Sequence, residues 1–142
     1  MRKTGILMVH LSVTLFTSAC GGDDDDGGSS SATTAAAPPV SLTGTVNDHG
    51  TASASDDMEV ELDDFYFGPT FIRATPGQQF AVALFNEGEA DHTFTIDSLG
   101  IDEQFAAGER RTTSLTAPPS GVLEFYCKFH RGRGMQGAIF VG

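Results

Sequence analysis

Within the last 18 residues stands a cluster of soft and borderline metal donors: Cys127, His130 and Met135, in the spacing CxxHxxxxM inside FYCKFHRGRGMQGAIFV. A thiolate and a thioether favour copper, and imidazole accepts copper in either oxidation state. Zinc has little use for a thioether, so this donor set points to a copper ion that exchanges single electrons. Gly132 and Gly134 inside the loop give the backbone freedom to bring three donors to one point. A further donor has to come from elsewhere. The chain has four histidines: His10 in the apolar leader, His49 in a polar stretch, His92 and His130. His92 is left by elimination, at the end of the NEGEAD loop and the start of HTFTI.

These residues need a rigid scaffold, and the chain from Met58 onward reads as short strands separated by turn signals, the pattern of a small all-β sandwich or barrel. Met58, Val60 and Leu62 alternate with acids; Gly68-Pro69 and Pro76-Gly77 turn the chain; Phe80, Val82 and Leu84 alternate again. His92, Phe94 and Ile96 share one parity, and Leu123, Phe125 and Cys127 share another, so His92 and Cys127 belong to inward-facing rows and can meet. Residues 98 to 109 read as an irregular connection, with room for a short strand or a helical turn. Ten of the 11 Phe fall from Phe65 onward, so the core is expected in the C-terminal part.

The chain of 142 residues has room for one modest domain with tails. A formal charge of -11 repels nucleic acid and disfavours an anionic membrane surface as partner. Arg2 and Lys3, the apolar run of residues 6–16 and the small residues before Cys20 have the layout of an export signal, too short to span a bilayer. Thr17-Ser18-Ala19-Cys20 resembles the lipobox of bacterial lipoproteins, although Thr17 departs from the aliphatic residue usual there. That resemblance implies lipid attachment at Cys20 and a place on the outer face of the membrane or in the periplasm, with plain secretion as the alternative. We therefore expect a signal segment at 1–19, a lipid-anchored low-complexity linker at 20–56 and a folded domain at 57–142. The linker, with its Asp23–Asp26 run, would span about 30–35 Å as a flexible coil. Val40–Val46 alternates weakly and could add an edge strand ahead of a turn at Asn47–Gly50.

Residues 57–142 resemble the plastocyanin and azurin cupredoxins, especially small bacterial members. Asn86 and His92 match the family's asparagine and first histidine ligand, and Cys127, His130, Met135 and Gly137 match its CxxHxxxxMxG loop. The resemblance implies a Greek-key β-sandwich holding one type 1 (blue) copper. Its trigonal ligands would be His92, Cys127 and His130, with Met135 as a weak axial ligand and His130 as the electron port. It also implies an exported, monomeric carrier serving protein redox partners. Plastocyanins have Asn after the first histidine and Pro before the second; Thr93 and Phe129 stand there, so the ligand loops are expected to be pinned differently.

Other classes fit less well. Copper storage or delivery is the alternative, yet only Met58 and Met135 fall in the domain, without the repeated Met or His motifs of cargo proteins. An enzyme is not expected: multicopper catalysis needs more histidines, a binuclear copper site needs a second loop cysteine, and no hydrolase motif surrounds Cys127. Lys128, Arg131 and Arg133 flank His130 while Glu87, Glu89 and Asp91 precede His92. Either the copper end is electrically two-faced or these are solvated loop charges.

Overall fold

A computed structural model describes residues 42–142; the expected export signal, Cys20 and the acidic run lie outside the described residues. Among the described residues ten strands form two sheets. Strands β1 (Thr51–Ser53), β4 (Phe71–Ala74), β6 (His92–Ile96), β7 (Ile101–Phe105), β9 (Gly121–Tyr126) and β10 (Gln136–Val141) make the first, in the order β1-β4-β10-β9-β6-β7. Strands β2 (Met58–Asp63), β3 (Tyr66–Gly68), β5 (Gln79–Asn86) and β8 (Arg110–Thr116) make the second, in the order β3-β2-β5-β8. Both sheets are mixed: β1, β4 and β10 run parallel to one another, as do β2 and β5. The chain changes sheet repeatedly, so sequence-distant strands lie side by side, as expected of a Greek-key sandwich.

Period-two patterning explains most of the strands. Met58, Val60 and Leu62 of β2 and Phe80, Val82 and Leu84 of β5 all point inward and are buried. Across the sandwich Phe67, Phe94 and Phe125 pack edge-on or tilted, with centroids 5.1 to 5.9 Å apart, each pair contributing about 0.5–1.5 kcal/mol beyond its buried area. Strand β6 breaks the alternation. Thr93 and Thr95 are as buried as the inward residues, and their hydroxyls are satisfied by each other, by Asp102 of β7 and by the Lys128 amide.

A 3-10 turn, Asp97–Leu99, runs into the stretch 98–109 and is followed by an edge strand, β7, paired antiparallel to β6, so both the turn and the strand for which the sequence left room are present. The ordered domain, however, begins before residue 57: β1 lies at Thr51–Ser53, and no strand forms within residues 42–46. Composition misplaces this boundary because the segment joins the open edge of β4 through backbone hydrogen bonds rather than through large side chains. Only Ala52 and Ala54 add apolar contact with the core.

Candidate metal centre

Three donors converge at one end of the sandwich. His92 opens β6, Cys127 directly follows β9, and His130 lies on the loop to β10; the first two are fully buried and His130 is half-buried. Nδ1 of His92 lies 3.0 Å from Nδ1 of His130, and Cys127 Sγ lies 3.8 and 3.6 Å from these two atoms. Such separations are those of donors sharing one ion at metal–nitrogen and metal–sulfur lengths of about 2.0 and 2.3 Å. Two imidazoles with Nδ1 atoms face to face beside a thiol therefore fit a bound metal, and one thiolate with two imidazoles is a donor set that copper accepts.

The loop is wound tightly enough to hold these positions. Cys127 O accepts from the amides of His130 (3.2 Å) and Arg131 (2.8 Å), and a 3-10 turn follows at Arg131–Arg133. Gly134 ends that turn with φ at 97°, a left-handed conformation that favours glycine. Met135 is fully buried, and its backbone joins both ligand residues: its carbonyl accepts from Cys127 N (3.0 Å) and its amide donates to His130 O (3.3 Å). Gly137 is required for packing. A Cβ there would stand 2.2 Å from Thr70 O and 2.4 Å from Phe125 Cζ.

Thr93 performs the pinning for which the resemblance offered an asparagine. Its backbone N–H points at Cys127 Sγ (3.4 Å), and its hydroxyl accepts from Lys128 N (2.8 Å). The Thr93 hydroxyl also lies 3.2 Å from that of Thr95, which donates to Asp102, and Asp102 pairs with the Lys128 ammonium at 2.7 Å. That ammonium holds the Asp102 carboxyl below its usual pKa. Asn86 shapes the other ligand loop: its Nδ2 donates to Ala90 O and Phe105 O, and its Oδ1 accepts from Gly88 N.

Two further neighbours had no sequence signal, because both reach the site from the β2–β3 turn. Asp64 Oδ1 stands 3.4 Å from His92 Nε2, within ion-pair range but not aligned as a hydrogen bond, and this buried nitrogen has no hydrogen-bond partner among the described residues. Phe65 presses its ring edge on His130 at 5.0 Å. Burial and then the nearby His130 push the His92 pKa down, while Asp64 opposes them. Of the expected cationic face, Lys128 and Arg131 are already paired with Asp102 and Glu124, and Arg131 and Arg133 lie over the rings of Tyr126 and Phe65. That favours locally balanced charges over a strong basic patch.

The profile of cupredoxin-like domains matches residues 34–141. Among solved structures, the fold is similar to an auracyanin from Roseiflexus castenholzii, with 20% identity, a TM-score of 0.54, and 63% of this chain and 98% of that one covered. It is also similar to the metal-binding domain of a Cu(I)-exporting P-type ATPase from Streptococcus pneumoniae D39, with 16% identity, a TM-score of 0.57, and 66% and 97% covered. Auracyanin A from Chloroflexus aurantiacus gives 15% identity and a TM-score of 0.51, with 66% and 100% covered. At these identities the likeness concerns the fold, whereas the family profile spans most of the chain: this protein belongs to the cupredoxin-like domain family.

Proposed function

We propose that this chain is a type 1 copper electron carrier working outside the cytoplasm. One observation carries the reading: a buried thiol and two imidazole Nδ1 atoms lie 3.0 to 3.8 Å from one another at the end of a rigid sandwich. His92, Cys127 and His130 would hold the ion, with the Met135 thioether as a weaker donor. When bound, copper would supply a one-electron couple tuned by the thiolate and thioether donors. The protein's own part is to keep the donors in one arrangement for both oxidation states. His92 and Cys127 are sealed in the core, and the cross-bonds of Thr93 and Asn86 lock their loops. His130 is the ligand nearest the surface and is flanked by Phe129, which is 53% exposed, so electrons would enter and leave there.

The similarity in fold to auracyanin A, a "blue" copper protein, supports this reading. The fold likeness to a domain of a Cu(I) exporter keeps copper delivery as the second reading. We further propose export by the segment 1–19, lipid attachment at Cys20, residues 20 to about 42 as the tether, and protein redox partners. The decisive experiment adds Cu(II) to the purified protein and follows visible absorption through a cycle of ascorbate reduction and reoxidation. An intense thiolate-to-copper band that bleaches and returns is expected. Copper uptake without that band, or no uptake, would refute the carrier. Mass spectrometry of the mature N-terminus tests the lipid at Cys20.

A further inference from the structure

The segment leading into the sandwich is tied to the metal loop more closely than a spacer requires. Gln136 Nε2 donates to the carbonyls of Thr43 (2.7 Å) and Thr45 (2.8 Å). Asn47 then makes three bonds. Its backbone N–H donates to Gly134 O at 3.1 Å, and its Nδ2 donates to Arg133 O at 2.9 Å and to Phe65 O at 2.8 Å. Both Nδ2 protons are used, which fixes the amide's orientation. Thr70 closes the far end: its hydroxyl accepts from His49 N (2.7 Å) and lies 3.0 Å from Asn47 O. The approach at Gly134 is so close that a Cβ there would stand 2.9 Å from Asn47 Cγ and Oδ1.

What Asn47 joins matters more than how many bonds it makes. Arg133 and Gly134 lie on the loop between His130 and Met135. Phe65 belongs to the turn that touches both imidazoles, its ring against His130 and the neighbouring Asp64 carboxylate beside His92. Phe65 also has φ at 75°, a left-handed conformation that a non-glycine residue keeps only where its surroundings hold it. The Asn47 amide on its carbonyl and the Arg133 guanidinium 4.6 Å above its ring provide that hold.

We infer that residues 43–50 form a strap belonging to the metal centre, with Asn47 as the positioning residue that clamps the His130–Met135 loop to the Asp64–Phe65 turn. Asn47 touches no donor atom and acts through Phe65, Arg133 and Gly134. The inference rests on the proposed copper site for its metal readout only.

The test uses the full chain carrying Asn47→Ala, Asn47→Asp or, as a control in β1, Ser53→Ala. Amide exchange of the metal-free protein and the rate of copper release to a chelator are measured. Losing both Nδ2 bonds in Asn47→Ala should speed exchange of the 131–135 amides about tenfold or more while β5 amides stay protected. Copper release should accelerate with it, and Ser53→Ala should match the parent. Asn47→Asp sets a carboxylate against two carbonyl oxygens and should be worse than Ala. Should the Asn47 variants fail to fold, Gln136→Met cuts the strap at Thr43 and Thr45 and should loosen residues 43–46 and the loop together. Unchanged loop exchange in the variants that fold overturns the strap, and faster exchange with unchanged copper release overturns its assignment to the metal centre. If the parent takes up no copper while loop exchange still rises in Asn47→Ala, the strap stands and the copper reading falls.

Discussion

Replacing Thr93 by Val removes a buried hydroxyl with little change of shape. The variant loses the Lys128 N–H acceptor at 2.8 Å and the Thr93–Thr95 contact at 3.2 Å, while the backbone N–H that faces Cys127 Sγ stays. Each net hydrogen bond contributes about 1 kcal/mol, and a half-buried amide left without a partner costs about 1–3 kcal/mol, so the expected loss is about 2 kcal/mol. For a domain near 100 residues that lowers Tm by roughly 8–16 °C, at about 4–8 °C per kcal/mol. Thermal and urea unfolding of the metal-free protein measure it, and Thr93→Ser, which keeps the hydroxyl, should recover more than half. Copper-loaded Thr93→Val should keep its absorption maximum, because the amide facing the sulfur is untouched. A Thr93→Val stability within about 0.5 kcal/mol of the parent would refute the argument that this hydroxyl pins the two ligand loops.

Gly137→Ala should be among the most damaging single changes, by about 3 kcal/mol or more, since the new methyl meets the Thr70 carbonyl at 2.2 Å and backbone cannot step aside; wild-type urea midpoints would contradict this. Metal-free stability should fall as pH drops below 6.5, the ordinary value for His92: the unfolded chain takes up a proton there that the folded imidazole, with its lowered pKa, refuses. Stability is thus present above pH 6.5 and lost toward the folded pKa, and His92→Gln should flatten that slope of urea midpoint against pH. Asp64→Asn should raise the reduction potential, because an anion beside His92 favours the more positive oxidation state. Asp64→Ala should raise the potential as well, and an unmoved potential in both variants would show that Asp64 is a solvated bystander.

The sequence alone was enough to single out His92, Cys127 and His130, which the fold brings to one end of the sandwich. Cys127, His130 and Met135 sit on one short loop whose spacing is local, and the parity of His92 and Cys127 follows from the two-residue period of strands, which any half-buried sheet imposes. Asn86 could be matched, and Thr93 stood out as a departure, though its compensating bond to Lys128 had to be seen. Only the tertiary structure brought Asp64, Phe65 and Asn47 to the site. Asn47 reaches Arg133 across 86 residues and Phe65 across 18, and such meetings depend on which strands neighbour which. Periodicity tells which face of a strand is buried but not the order of strands in a sheet. A polar segment held by hydrogen bonds to backbone also leaves no hydrophobic pattern to read, so residues 43–50 read as a spacer in the sequence although they bond to the metal loop.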